Sequence, residues 1–323
     1  MQVQTCMSAG NFRWNNLKGP CLHGGLERIK AEYLRHMQII EHAESLEPLH
    51  ACALVPTMGA LHAGHASLIQ RAALDGRPVV VSLFVNPTQF AAGEDFSKYP
   101  RTLQADRELC QAAGAAAIFI PSVQDMYPHG VDAANAEAAQ MKLPLVATQP
   151  KLEDAQRPTH FAGVCQVVAK LFDMCQPAAA YFGEKDFQQL RVIQDMARRE
   201  GARWQNLVVH ACPTIRESDG LAMSSRNRYL QANQRENALG LSRALTVAQE
   251  SVRAGMDIAA VENEMRRVLT RHELLVEYAV IRAHDTLLPI EKFEPQLKSG
   301  ARALIAARLE GVRLIDNASC SGA

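Results

Sequence analysis

The stretch at residues 51–74, ACALVPTMGALHAGHASLIQRAAL, limits the possible fold more than any other part of the chain. Its first five residues are apolar and fit a buried strand, and Pro56-Thr57-Met58-Gly59 then breaks the run with turn formers. From about Gly64 the period changes, with Leu68, Ile69, Ala72 and Ala73 on one helical face. A strand that ends in a glycine turn and feeds a helix puts that helix's N-terminus at the carboxyl edge of a parallel sheet. The free N–H groups there form an anion site. His62 and His65 stand at that point, with Gly64 between them. Imidazoles at this spacing project from one side and can donate to one phosphate chain, while Gly64 removes a Cβ that would hold a nucleotide off the backbone. Taken alone, H-x-G-H is equally consistent with solvated or core-capping histidines. Metal ligation fits less well, because no Cys or carboxylate lies at ligand spacing nearby.

The strand-then-helix pattern repeats. VVVSLFV at 79–85 is a continuous apolar run of the kind a parallel sheet buries on both faces, and it ends in Asn86-Pro87-Thr88-Gln89-Phe90. A helix is predicted over 101–113, closed by Gly114, and AAAIFIP at 115–121 gives a third strand. Prolines punctuate 121–160, which reads as a long loop. Val164, Val167, Val168, Leu171, Phe172 and Cys175 form a helical stripe stopped by Pro177. AAAYFG at 178–183 and LVVHAC at 207–212 supply two more strands, with the helix face Phe187, Leu190, Ile193 and Ala197 between them. This is an α/β chain with a Rossmann-like, doubly wound parallel sheet, and the absence of G-x-G-x-x-G weighs against a classical NAD site. After about residue 214 the pattern changes to two long helices, near 233–254 and 257–272, and two β-like runs, LLVEYAVI and ALIAARLEGVRLI. The expected division is a loosely ordered extension at 1–36, a nucleotide-binding domain at 37–214 and a smaller α+β domain at 215–323.

The 34 basic and 34 acidic residues cancel, which argues against a nucleic-acid or membrane-surface partner. The eight cysteines are scattered without C-x-x-C, as in reducing compartments, and no apolar run has the length of a membrane helix or a signal peptide core. The expected location is cytoplasmic. Four polar clusters fall at strand ends or at the domain junction: His62/His65, Asn86/Gln89, Glu184–Gln189 and Ser224–Arg226. Cations, hydroxyls and amides in that mix suit a polyphosphate together with a small hydroxylated acid. Each cluster also has a plain reading: Asp186 can simply cap a helix, Gln89 can satisfy a turn, and Ser-Ser-Arg can be a solvated loop.

VPTMGALHAGH, FVNPTQF, YPRTL, RPTHFAGV, YFGEKDFQQL and DGLAMSSRNRYL, in this order and spacing, closely resemble the pantothenate synthetase (pantoate–β-alanine ligase) family of HIGH-motif nucleotidyltransferases. The resemblance covers about residues 37–317. It implies that pantoate attacks the α-phosphate of ATP to give pantoyl adenylate and diphosphate, after which β-alanine displaces AMP. Carried over by motif, Met58, Gly59, Ala60, Leu61, His62, Ala63, Gly64 and His65 form an ATP-binding segment, with His65 at the position of a proton donor. Gly183, Glu184, Lys185 and Asp186 form a second such segment, Met223, Ser224, Ser225 and Arg226 a third, and Ile215 an adenine-side contact. Gln89 would hold pantoate and β-alanine, and Gln189 pantoate. The catalytic set implied is His62, His65, Lys185 and Arg226, with Mg²⁺ as cofactor and Asp106 helping to place it. The family also implies a homodimer. Residues 129–157 depart from the family pattern, and the run MQIIE from Met37 looks like a family start, so that 1–36 is either an extension or a misassigned start. Two other readings share the fold class. One is a related nucleotidyltransferase acting on another small acid or phosphate ester, and the other is a nucleotide-binding homologue without catalysis.

Overall fold

A computed structural model describes residues 37–90, 96, 99–205, 207–292 and 300–320 of the chain. The extension expected at 1–36 lies outside them. Six strands, β1 (Gln38–Ile40), β2 (Ala53–Thr57), β3 (Val79–Leu83), β4 (Ala117–Phe119), β5 (Ala179–Gly183) and β6 (Val208–Cys212), form one parallel sheet in the order β1-β4-β3-β2-β5-β6. The apolar runs become strands because helices cover both faces; every residue of β3 is buried. From β2 the chain winds outward through β3 to β4, then returns to start again at β5. The β2–β5 pairing stops at Leu54↔Ala180, so the two strands part before their carboxyl ends. Such a switch point opens a crevice at the sheet edge.

The segment expected as a loop at 121–160 contains the helices Val123–Met126, Val131–Ala139 and Glu153–Gln156 and a 3-10 turn at Leu145–Ala147. Ser122 and Asp125 cap the first of these reciprocally. Ala134 and Ala138 bury the next, which is held to the long helix His160–Cys175 by Gln166 Nε2 donating to the Ala134 carbonyl at 2.8 Å. The prolines stand between these short helices and hid them in the sequence.

Two further expectations change in the C-terminal part. The helix predicted over 233–254 is two, Ala232–Ala238 and Gly240–Arg253; a Cβ on Gly240 would lie 2.7 Å from the His272 side chain. The run ALIAARLEGVRLI is a hairpin, not one strand. Glu310 (φ 44°) and Gly311 (φ 90°) make the turn between β8 (Ala301–Leu309) and β9 (Val312–Cys320). With β7 (Leu275–Ala283) they form an antiparallel sheet, β7-β8-β9. Both faces are buried. Ala279, Ile281, Ala303 and Ile305 pack with the helices Gly240–Arg253 and Ile258–Arg271. Tyr278, Val280, Leu304 and Ala306 join the hydrophobic core that contains Leu54, Val80 and Ala180 of the parallel sheet. The strand alternation therefore serves two cores at once.

Candidate active site

The helix Ala63–Ala73 starts with a reciprocal cap made by the two histidines. His62 Nδ1 accepts from the Gly64 amide at 3.1 Å, and His65 Nδ1 accepts from the His62 amide at 3.3 Å. An accepting Nδ1 carries no hydrogen, so each neutral ring keeps its hydrogen on Nε2. The rings lie 4.1 Å apart. A Cβ on Gly64 would sit 2.9 Å from the His62 ring, so this glycine makes room for an imidazole as well as for any ligand. Burial and the neighbouring His62 drive the His65 pKa down to about 3, and burial with nearby Lys185 lowers that of His62. Both are neutral hydrogen-bond donors at pH 7.

The turn before them uses left-handed backbone at Gly59 (φ 81°) and at Ala60 (φ 52°), a conformation that costs a non-glycine residue energy. Asp106 compensates. Its carboxylate accepts from the Ala60 and Leu61 amides at 3.0 and 2.8 Å and from Thr102 Oγ1 at 3.1 Å, in a site where it is 3% exposed. Both oxygens are therefore committed to the turn. Asp106 is not among the residues lining the cleft, so its geometry accounts for a structural part in the turn and lends no support to its expected help in placing Mg²⁺.

On the next strand end, Asn86 accepts from Tyr127 OH at 2.6 Å and donates to the Gly163 carbonyl and to Gln89 Oε1, each at 3.2 Å. Gln89 Nε2 points at Met58 Sδ, 2.9 Å away. A thioether is a weak acceptor, so this donor transfers easily to a carboxylate or hydroxyl. Gly163 permits the arrangement: its Cβ would lie 2.6 Å from the Thr88 carbonyl carbon and 2.7 Å from the Gln89 amide nitrogen. His160 Nδ1 lies 3.1 Å from the Gln89 carbonyl, with Arg157 3.2 Å from its other ring nitrogen. Arg157 and His160 line the cleft and were given no role from sequence, although RPTHF flagged them.

Across the crevice, Lys185 Nζ lies 3.6 Å from Asp186 Oδ1. Enclosure in the cleft works to raise the Asp186 carboxyl, but Lys185 and Arg226 outweigh it and hold its pKa below the usual carboxylate range. Ser224 caps the 3-10 turn Ser225–Tyr229 by accepting from the Arg226 amide at 3.2 Å. Met223 N donates to the Ile215 carbonyl at 2.9 Å, which puts those two side by side. Glu184 turns away, and its carboxylate meets Arg302 at 2.9 Å.

One cavity of about 260 Å³ brings together Met58, His62, Gly64, His65, Gln89, Gly183, Lys185, Asp186, Gln189, Ile215 and Met223 through Arg226. Its residues include Asp186 as the one carboxylate among those described. Gly59, Ala60, Leu61, Ala63 and Glu184 are not among its lining residues; they build the walls from behind. A larger cavity of about 640 Å³ shares Lys185, Asp186, Gln189 and Arg226 but contains neither imidazole of the H-x-G-H pair, which makes the smaller one the candidate site.

A family model described as pantoate-beta-alanine ligase matches residues 31–319. A pantothenate synthetase of Rubrobacter xylanophilus is 47% identical over 269 residues, covering 82% of this chain and 90% of that one. One of Thermus thermophilus is 43% identical over 288 residues, covering 88% and 98%. Among solved structures, a pantothenate synthetase from Thermus thermophilus superposes with a TM-score of 0.79 at 41% identity, over 88% of this chain and all of that one. The pantoate-beta-alanine ligase of Francisella tularensis, complexed with beta-gamma ATP and beta-alanine, gives 0.67 at 29% identity, over 88% and 98%.

Proposed function

The chain belongs to the pantoate–β-alanine ligase family and makes pantothenate using ATP; on that premise we propose that the 260 Å³ cleft carries both halves of the reaction. In the first, a pantoate carboxylate oxygen attacks the α-phosphorus and the bond to the bridging oxygen of diphosphate breaks. In the second, the amine of β-alanine attacks the acyl carbon, loses a proton, and AMP leaves. The observation that carries this reading is the two Nε2–H donors of His62 and His65 facing the same space as Lys185, Arg226 and the two glutamines.

Charge accumulates on the diphosphate as it leaves. His62, His65 and the start of the helix Ala63–Ala73 donate to it, and Lys185 and Arg226 neutralise it. His65 acts as a hydrogen-bond donor and not as an acid, because its pKa of about 3 in the free site leaves it neutral; a bound anion raises that value. Gln89 and Gln189 hold pantoate, with Gln89 also reaching β-alanine, and Ile215 with Met223 covers the adenine. Mg²⁺ would arrive on the ATP phosphates. The half-exposed Asp186 suits such an ion as the one carboxylate lining the cleft among the described residues.

We read the chain as two domains joined near residue 214, with the segment Met223–Arg226 and the smaller domain shielding the acyl adenylate from water. A cytoplasmic homodimer is part of the same proposal. The six cysteines among the described residues are free and buried, which suits a reducing compartment. The test is release of diphosphate from ATP and Mg²⁺ with pantoate alone, and of AMP with pantothenate once β-alanine is added. ATP left intact by folded protein that binds it and pantoate would end the proposal.

A further inference from the structure

The two cations proposed to meet the phosphates come from separate parts of the chain, and strand β9 is hydrogen-bonded to the segment that carries each. Asn317 Nδ2 donates to the Glu184 carbonyl at 3.0 Å and to the Lys185 carbonyl at 2.9 Å, using both of its hydrogens. Its Oδ1 accepts from Arg302 Nε at 2.6 Å, and Arg302 continues to Glu184 Oε2. Its neighbour Asp316 accepts two hydrogen bonds from Arg216, at 2.7 and 3.0 Å, and a third from the Asn317 amide at 2.8 Å. Arg216 stands in the turn whose pairings, Glu217 N to the Leu221 carbonyl and Met223 N to the Ile215 carbonyl, lead directly into Ser224–Arg226. Arg302, Asp316 and Asn317 are 4%, 3% and 4% exposed. Apolar side chains would fill such buried strand positions at no desolvation cost, so a fully matched polar set here selects one geometry.

We propose that Asp316 and Asn317 are positioning residues that fix the Lys185 segment and the Arg226 segment relative to each other, so that both cations meet the same phosphate chain. This rests on the phosphate-binding role given to Lys185 above. A backbone carbonyl held at Lys185 sets where its Nζ can reach. An ion pair at Arg216 sets where the following serine–arginine turn lies.

The experiment compares Asn317→Asp, Lys185→Ala and the double variant. Asn317→Asp keeps the size of the side chain but turns an oxygen toward two carbonyl oxygens. It should slow pantoate-dependent exchange of ATP with diphosphate at least tenfold, leave the KM for pantoate within about twofold, and change aminolysis of supplied pantoyl adenylate less than threefold. The cycle is read on the ATP dissociation constant, measurable even where turnover is lost: each single variant should weaken ATP binding, and the double variant should bind no worse than Lys185→Ala. Equal slowing of both half-reactions, full additivity, or a silent Asn317→Asp overturns the inference. Lys185→Ala with wild-type exchange and ATP binding would instead refute the role of Lys185. Should Asn317→Asp fail to fold, Asp316→Asn paired with Arg226→Ala gives the same cycle from the other end, with the same criteria.

Discussion

The two walls of the cleft are held in opposite ways. The histidine wall is local: His62 and His65 cap each other across three residues, and Asp106 supports their turn from 46 residues away. The cation wall is assembled from a distance, with Lys185 tied to Asn317 across 132 residues and the turn before Arg226 tied to Asp316 across 100. The histidine wall needs only its strand–turn–helix unit and the helix Leu103–Ala113 that brings Asp106 to the turn. An assembled wall depends on how two layers dock, and it is the side on which geometry can be adjusted without touching the chemistry.

Substitutions on each wall test that contrast. His65→Ala removes the proposed phosphate donor and half of the reciprocal cap; diphosphate formation should fall by about 10²–10³-fold, as for loss of one preorganised donor. A loss below tenfold would shift the weight of catalysis to the cation wall. Gly163→Ala forces a Cβ against the Thr88 and Gln89 backbone, so the unfolding free energy should drop by about 2–3 kcal/mol, with pantoate KM rising. Asp106→Asn replaces one acceptor of two buried amides with a donor and should cost about 1–3 kcal/mol in stability and lower turnover. A raised Mg²⁺ requirement with unchanged melting temperature would restore the metal role for Asp106.

The smallest effect is on pH dependence. His62 and His65 have folded pKa values below the unfolded value near 6.5, so the unfolded chain binds more protons below that pH. Stability should be full above about 6.5 and fall as pH drops toward the folded values, by up to about 1.4 kcal/mol per pH unit for each histidine. Between pH 6.5 and 4.5, before the depressed carboxylates Glu153 and Asp186 are protonated, His65→Gln should flatten the slope in denaturant titrations. An unchanged slope would mean the imidazoles are less enclosed than the cap geometry requires.

The sequence reveals the two walls unequally for the same reason. Continuous apolar runs announced the parallel strands, and the change to helical period at Gly64 announced the turn that holds the histidines, because both signals lie within a dozen residues. The hairpin at Glu310–Gly311 was hidden because a glutamate takes the left-handed position usually given to Asn, Asp or Gly. Asp316 and Asn317 were invisible as site residues. They follow the last apolar run as two adjacent polar residues, and only distant partners bury them: Asn317 meets the Glu184 and Lys185 carbonyls on one face of the sheet, and Asp316 meets Arg216 on the other. Gly163 lay in plain view in RPTHFAGV, but nothing local says that a helix must approach a backbone turn there. The short helices between Val123 and Gln156 were obscured by their own prolines.

The reach of Asn317 back to Lys185 also sets an order of assembly. A ribosome delivers Lys185 first and Asn317 132 residues later, on the order of ten seconds at ordinary elongation rates. During that interval the nascent chain has its histidine turn, while the carbonyls of Glu184 and Lys185 still await the side chain that binds them. The cation wall is therefore the last part of the cleft to be fixed, held only once strand β9 pairs its Asn317 with those two carbonyls.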